Sequence, residues 1–151
     1  MAYNDLLGKV EAAIKTVLDA LSLTGTRGTD SAAPVSILTG LDDDNAAMPR
    51  VVIYAKDSGP EITQDTGIFP VTVIVTIHSH SADETLSAHR ERVGSVIDGI
   101  MQDNRSDVLT AAVTDFHCYA LQDMGPSEDV DGHAFKTSRE FLCTCCAADL
   151  T

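Results

Sequence analysis

The segment Phe69–His80 constrains the fold more than any other part of the chain, because its side chains alternate in character. Successive residues of a β-strand point to opposite sides of a sheet, so this pattern predicts a strand with one buried face. The apolar side consists of Val71, Val73, Val75 and Ile77. The other side mixes polar and apolar residues, namely Thr72, Ile74, Thr76, His78 and His80. We therefore expect a sheet with one face in the core and one face of mixed character.

Two amphipathic helices are predicted, one before and one after this strand. In residues 4–23, apolar side chains recur at steps of three and four, which is typical of a helix with one apolar face: Leu7, Val10, Ile14, Val17 and Leu21. After the strand, Ser81, Asp83 and Glu84 are suited to cap and charge the start of a helix. Its apolar side runs from Leu86 to Met101, and we expect the helix to end near Asn104.

The remaining segments predict shorter strands joined by turn-rich loops. Strands are expected at 50–55, 113–122 and 134–146, the last two forming an antiparallel hairpin, and residues 35–38 form either a short strand or an extended segment. Flexible loops are expected at about 24–34, 56–67 and 123–133, where turn-forming residues cluster. Strand runs separated by helices, without strict β–α–β alternation, indicate an α+β fold. We expect a single domain over residues 1–151, with a mainly antiparallel sheet of four to five strands and two helices packed on one face.

The charge composition argues against nucleic-acid binding. The chain has ten Lys and Arg residues against 23 Asp and Glu, a formal net charge of −13. Binding to phosphates requires clustered basic side chains, whereas these ten are scattered singly among acids. The first residues lack the features of a targeting signal, and the longest apolar-rich stretch is too short to span a bilayer. We expect a protein made in the cytoplasm, with reduced thiols and no membrane role.

No residue pattern indicates a catalytic centre, and we expect neither a cofactor nor enzymatic activity. His78 and His80 are two residues apart on one strand, so both imidazoles can point to the same side and chelate zinc. A third ligand would have to come from His117 or His89, on other elements. A small metal-dependent enzyme using His78, His80 and His117 therefore stays as an alternative, although a solvated or subunit-facing strand surface is the favoured interpretation.

The acidic turns also lack the pattern of a metal site. Residues 42–44 and 129–131 supply carboxylates, but neither segment matches the twelve-residue calcium loop. In a loop that begins at Asp129, Ala134 stands at the sixth position, where that loop needs glycine. Solvated loop tips are the favoured interpretation. Cys143 and Cys145 project to one face of the last strand without the spacing of a metal knuckle, and small core side chains are their expected role.

The order of the elements resembles the tail terminator and tail-completion proteins of long-tailed bacteriophages. The resemblance rests on the amino-terminal helix, the strand at 49–55, the turn-rich loop, the strand at 67–79 that runs straight into a helix, and the closing hairpin at 114–145. It implies a virion protein that forms a ring of six copies at the head-proximal end of the tail tube. Such a ring ends tube polymerisation and joins the tail to the head. A head-closure or adaptor subunit and a tail-tube subunit are alternatives within the virion.

This resemblance also suggests which residues meet the partners, which are other copies of the chain, the tail tube protein and the head-closure or connector proteins. The candidate interface residues lie in the loop at 56–66 and the hairpin tip at 122–133: Lys56, Asp57, Glu61, Asp65, Asp123, Glu128, Asp129 and Asp131. A channel lined by carboxylates would let DNA pass without binding it. The candidate lumen residues are Asp42, Asp43 and Asp44. The equally open alternative is that these residues face the outside solvent.

Overall fold

The computed structural model describes residues 3–40, 47–62, 67–101, 105–127 and 134–146. Within these residues the chain forms three helices and seven strands. In chain order they are α1 (Tyr3–Asp19), β1 (Thr24–Arg27), β2 (Asp30–Pro34), β3 (Ser36–Thr39), β4 (Arg50–Ser58), β5 (Phe69–His80), α2 (Leu86–Met101), α3 (Arg105–Ala112), β6 (His117–Ser127) and β7 (Ala134–Cys146). The predicted α+β class is confirmed.

Five strands form one sheet in the order β3-β4-β5-β7-β6, and β1 pairs only with β2 in a separate hairpin. Strand β3 runs parallel to β4, and every other pair in the large sheet is antiparallel. The predicted strand β5 lies at the centre, where Val75 is in register with Ile53 of β4 and with Arg139 of β7. The predicted sheet of four to five mainly antiparallel strands is therefore confirmed, with β5 at its centre.

The helices pack on one face of this sheet, where the core forms. The apolar side of β5 is fully buried, with Val71, Val73, Val75 and Ile77 all at 0% exposure. These side chains join buried residues of all three helices in one cluster, including Ile14 of α1, Ile100 of α2 and Leu109 of α3. The core thus lies between the helices and this face, which we call the helix face.

Helix α1 is shorter than predicted and is rotated slightly from the predicted stripe. It ends at Asp19, and Ser22 then adopts a φ of 51°, which a continuing helix does not allow. Leu6 and Leu18 are buried, at 1% and 0% exposure, while the predicted Leu7 and Leu21 are only partly buried. The early end frees residues from 24 onward to form the β1–β2 hairpin.

That hairpin replaces the flexible loop predicted at 24–34. Thr24 pairs with Pro34 and Arg27 with Asp30, so the turn has only two residues, and Gly28 within it has a φ of 60°. Tight two-residue turns of this kind need a positive φ, which glycine adopts readily. The prediction failed because the strands are short and largely exposed, so they lack the alternation that marks β5.

The second helix and its neighbour also differ from the prediction. Helix α2 begins at Leu86, and Thr85 caps it by accepting the Ala88 N–H at 3.1 Å, so the cap is not at Ser81–Glu84. A third helix, α3, lies between the predicted helix and the strand predicted at 113–122, where no element was predicted. Its apolar periodicity is weak, but Leu109 is 2% exposed and anchors α3 on the sheet.

The two other predicted loops are partly strand. Strand β4 continues to Ser58, and β6 runs from His117 to Ser127 instead of over 113–122. Both extensions contain bulges in the pairing, between Ala55 and Asp57 in β4 and between Asp123 and Gly125 in β6. A bulge interrupts the period-two pattern and so conceals a strand from sequence analysis.

Candidate functional site

Two of the predicted interface residues, Lys56 and Asp57, lie at the surface near the end of β4. Both side chains are exposed, at the bulge in the pairing with β5. Glu61 folds back on its own loop, where its carboxylate accepts the Gly67 N–H at 2.7 Å. Of the described candidates in this loop, Lys56 and Asp57 are therefore the ones with exposed side chains.

Asp123 makes its described contacts within its own chain. Its carboxylate accepts hydrogen bonds from Arg139 Nε at 2.8 Å and Nη2 at 2.7 Å, and from the Gly125 N–H at 2.9 Å. The bonds from Arg139 hold the pKa of the Asp123 carboxyl below its ordinary value. Asp123 thus fixes the bulge in β6 against β7.

The other candidates lie outside the described residues: Asp42, Asp43, Asp44, Asp65, Glu128, Asp129 and Asp131.

The three histidines of the metal hypothesis are not brought together. His78 pairs with Lys136 of β7, whereas His117 pairs with Cys146, at the other end of that strand. At about 3.3 Å per residue, the ten steps from 136 to 146 separate the two histidines by about 33 Å. His78 also lies in register between Arg50 and Lys136, whose positive charges disfavour a bound cation. Among the described residues, no three metal-binding side chains are grouped to hold an ion.

The four cysteines are buried thiols. Cys118, Cys143, Cys145 and Cys146 are each at most 2% exposed, and the Sγ atoms of Cys118 and Cys143 are 3.6 Å apart. The hydrogen bond from Cys118 opposes a rise in the pKa of Cys143, but contact with Cys145 and burial raise that pKa well above its ordinary value. A buried thiol with a raised pKa is a poor nucleophile. The thiols fill the core, as predicted for Cys143 and Cys145.

The most concentrated polar chemistry in the described chain lies under the start of α2. We call it the Arg92 cluster, and it comprises Ser79, Glu84, His89, Arg92 and Thr137. Arg92 Nη1 donates to Glu84 Oε1 at 2.8 Å, and Nη2 donates to Glu84 Oε2, so the two side chains form a paired fork. Their side chains are only 5% and 4% exposed. Burial would raise the pKa of Glu84, but the hydrogen bonds from Arg92 and Thr26 lower it overall.

The remaining hydrogen bonds of the cluster surround the imidazole of His89. Arg92 Nη1 donates to Ser79 Oγ at 2.8 Å, and Ser79 Oγ lies 2.7 Å from His89 Nδ1. Because a guanidinium can only donate, Ser79 Oγ accepts from Arg92, and its own hydrogen can point to Nδ1. In the neutral tautomer that matches this arrangement, the proton of His89 is on Nε2 and is donated to Thr137 Oγ1 at 2.9 Å. The chain of bonds joins α2 to β5 and β7.

The same arginine and glutamate hold the β1–β2 hairpin. Glu84 Oε2 accepts the Thr26 N–H at 3.2 Å, and Arg92 Nη2 donates to the Thr24 carbonyl at 3.5 Å. Gly25 lies between these two contacts without room for a side chain. A Cβ at this position would be 2.4 Å from Arg92 Nη2 and 2.6 Å from Pro49 Cγ. The hairpin thus rests directly on the buried ion pair.

A cavity of about 240 Å³ opens beside this contact, lined by Thr24 and Gly25 of the hairpin and by Ala88, Glu91 and Ser95 of α2. Arg92 contributes to its wall, and Arg92 Nε is a buried donor without a partner in the described part of the chain. The cluster itself offers no accessible nucleophile, because Ser79 is 0% exposed and its oxygen is already engaged by Arg92. Its evident role is to fix α2, the sheet and the hairpin together.

Sequence analysis missed this cluster, although a signal was present. His89, Arg92, Val96 and Ile100 recur at steps of three and four on α2, and all four are buried. Two polar residues on the apolar stripe of a helix indicate buried polar groups that need partners. Their partners are far away in the sequence, since Thr24 is 68 residues from Arg92. The pattern could therefore reveal the polar positions but not the cluster.

Comparisons with known proteins add no relative. No family model matches the sequence, and no curated protein matches it. Among the helices of the described residues, none combines the length and the apolar character that crossing a bilayer requires.

Proposed function

We propose that the protein is a structural component of a bacteriophage virion. In this proposal it forms a homo-oligomeric ring, of six copies, at the head-proximal end of the tail tube, where it ends tube polymerisation and joins the tail to the head. It acts through interfaces and not as an enzyme. The observation that carries the proposal is the sheet face opposite the helices, in an element order that resembles the tail terminator family.

This second face, which we call the open face, is only partly buried. Val52 of β4 is 3% exposed, but six residues around it are of intermediate exposure, namely Tyr54 of β4, Thr72, Ile74 and Thr76 of β5, and Glu140 and Leu142 of β7. Tyr54, Ile74 and Glu140 lie side by side in register across three strands. The core cluster, to which all three helices of the described residues contribute, includes none of these side chains. A broad, mixed and partly exposed sheet face is suited to contact another protein.

The edge strand β6 provides a second and different surface. It lies at the end of the sheet order, and it exposes Tyr119 at 40% and Met124 at 48%. A closed ring requires two different complementary patches on each subunit, because each copy meets its neighbours head to tail. In the proposal, the open face and the β6 edge are these two patches.

The acidic composition supports the same role. With a net charge of −13, a ring of six copies carries a strongly negative field, and DNA in its channel is repelled instead of bound. In the proposal, DNA passes through the lumen, the tail tube protein contacts one end of the ring and the head-closure proteins contact the other. Such a chain is made in the bacterial cytoplasm and ends in the neck of the virion.

The oligomeric state tests the proposal most directly. Light scattering combined with size-exclusion chromatography should give six copies of the 16.0 kDa chain, and negative-stain microscopy should show closed rings. Long tubes from the purified chain would favour a tail-tube subunit instead. A monodisperse monomer that stays monomeric when mixed with tail tubes would contradict the proposal.

A pair of charge substitutions then locates the interface. Ile74→Glu adds an acid beside Glu140 on the open face, so the ring should dissociate toward monomers. Leu86→Glu is the matched control, because Leu86 is 42% exposed on α2, away from the open face. The control should retain the ring. Loss of the ring in both variants, or in neither, would place the contact elsewhere.

A further inference from the structure

We propose that the Arg92 cluster is an acid-sensitive lock, in which a proton on His89 Nδ1 releases α2 and the β1–β2 hairpin from the sheet. The lock is a conformational device that is independent of the ring proposal, because it rests on contacts within one chain. The proposal has three steps. The closed arrangement holds a neutral His89, protonation of His89 disrupts this arrangement, and the disruption reaches the hairpin.

The hydrogen bonds around Ser79 favour a neutral His89. With the proton of His89 on Nε2, Nδ1 accepts from the Ser79 hydroxyl, and Ser79 Oγ accepts from Arg92. A proton on Nδ1 would make Ser79 Oγ the acceptor of two donors, Arg92 and His89, and its own hydrogen would have to turn away from Nδ1. The site is closed to water at this point, since Ser79 is 0% and His89 is 2% exposed. A buried polar group without a partner destabilises the closed state.

The charges around His89 also oppose protonation. The charged and titratable groups whose charges act on it are Arg92 and Arg90 of α2, Glu84 before α2, and His78 of β5. Strand β7 contributes the Thr137 hydroxyl and the Phe135 ring, whose centroid is 5.6 Å away. Glu84 is the one anion among these groups, and it is already paired with Arg92. Burial, followed by the charge of Arg92, lowers the pKa of His89 below its ordinary value of 6.5.

The sign of the effect follows from this direction. Above pH 6.5 both the closed and the open states hold a neutral histidine, so the lock has its full stability. As the pH falls below 6.5, the open state takes up a proton before the closed state does, and the opening equilibrium constant rises. The rise is at most about tenfold per pH unit, and it ends when the closed state is also protonated.

The hairpin responds because it shares Arg92 and Glu84 with the rest of the cluster. Thr26 donates to Glu84, and the Thr24 carbonyl accepts from Arg92, while Gly25 packs against both side chains. An isolated two-stranded hairpin has little stability of its own. Loss of the Arg92–Ser79 contact therefore loosens the surface on which the hairpin rests.

Two measurements on the full chain test the lock. The ring resonances of His89, followed by NMR between about pH 7.5 and about pH 5, should show an Nε2–H tautomer that protonates with a midpoint below 6.5. Over the same range, the opening constant of the Thr26 amide, from hydrogen exchange divided by the intrinsic rate, should rise. A midpoint at or above 6.5, or a constant opening equilibrium, would overturn the proposal.

Two histidine variants separate the lock from general acid effects. His89→Gln removes the titrating group and should make hairpin opening independent of pH in this range. His80→Gln is the control, because His80 is exposed at the end of β5 and is not part of the cluster. It should keep the pH dependence of the natural chain. An unchanged pH dependence in His89→Gln would refute the role of His89, and if that variant does not fold, the titration of the natural chain decides.

Discussion

The two faces of the central strand β5 are built for different neighbours. On the helix face, four consecutive inward residues are at 0% exposure and lie under three helices of the same chain. On the open face, Thr72, Ile74 and Thr76 are half-buried, and Thr76 bonds to Ser138 at 3.0 Å instead of packing on a helix. The difference shows that burial within the chain is complete on one side only. The stability of the domain and its contacts with other proteins should therefore respond to different substitutions.

A second contrast lies between two ion pairs of the chain. Beneath α2, the buried Arg92 and Glu84 are paired almost without solvent, which makes each side chain depend on the other. At the β6 edge, the Asp123–Arg139 pair remains in reach of water, at 23% and 29% exposure. Exposed pairs contribute little to stability, whereas removing one member of a buried pair is strongly destabilising.

The largest expected effect comes from adjacent residues of β7 that face opposite ways. Phe141 is 0% exposed on the helix face, and Phe141→Ala should lower the free energy of unfolding by about 3–5 kcal/mol, because a large cavity remains. Leu142→Ala is the matched change on the open face, where the side chain is half-buried. It should cost roughly 1 kcal/mol in the monomer. Urea unfolding of both variants measures the difference, and equal losses would mean that the two faces are equally part of the core.

Breaking the buried ion pair should have the next largest effect. Arg92→Met leaves the buried Glu84 carboxylate without its countercharge, and it should destabilise the chain by about 3 kcal/mol or more. The double variant Arg92→Met with Glu84→Gln removes both charges and should recover part of that loss. The free energy of unfolding by urea at about pH 7 measures both. A double variant less stable than Arg92→Met would show that the charges are not the cause.

The contrast between the faces also explains what could be predicted from the sequence. Strand β5 and its buried face were predictable because alternation is a local pattern, and the α+β class followed from the order of such patterns. The β1–β2 hairpin was not, since its strands bury little and owe their position to Glu84 and Arg92. Helix α3 has too weak a periodicity to stand out, and bulges conceal the full lengths of β4 and β6.

The candidate site was predictable only in part, for a related physical reason. Glu84 was assigned to the solvated start of a helix, because acids are common there. Its burial depends on Thr26, which is 58 residues away, and on the fold that brings the two together. Conversely, Asp123 was assigned to a partner contact, and its pairing with Arg139 depends on the register of β6 and β7. Charges far apart in the sequence acquire their partners only when the sheet forms.

The smallest predicted effects come from two glycines on the helix side of the sheet, and they test how tightly the hairpin is seated. Gly25→Ala places a methyl group 2.4 Å from Arg92 Nη2, so the ion pair or the hairpin must shift, at a cost of about 1–3 kcal/mol. Gly94→Ala in α2 meets no atom within 4 Å and should stabilise the chain by about 0.5–1 kcal/mol, because alanine favours a helix. Urea unfolding should thus give changes of opposite sign. A stabilising Gly25→Ala would mean that the hairpin does not pack against Arg92. The Arg92 cluster would then not couple α2 to the hairpin through this arginine.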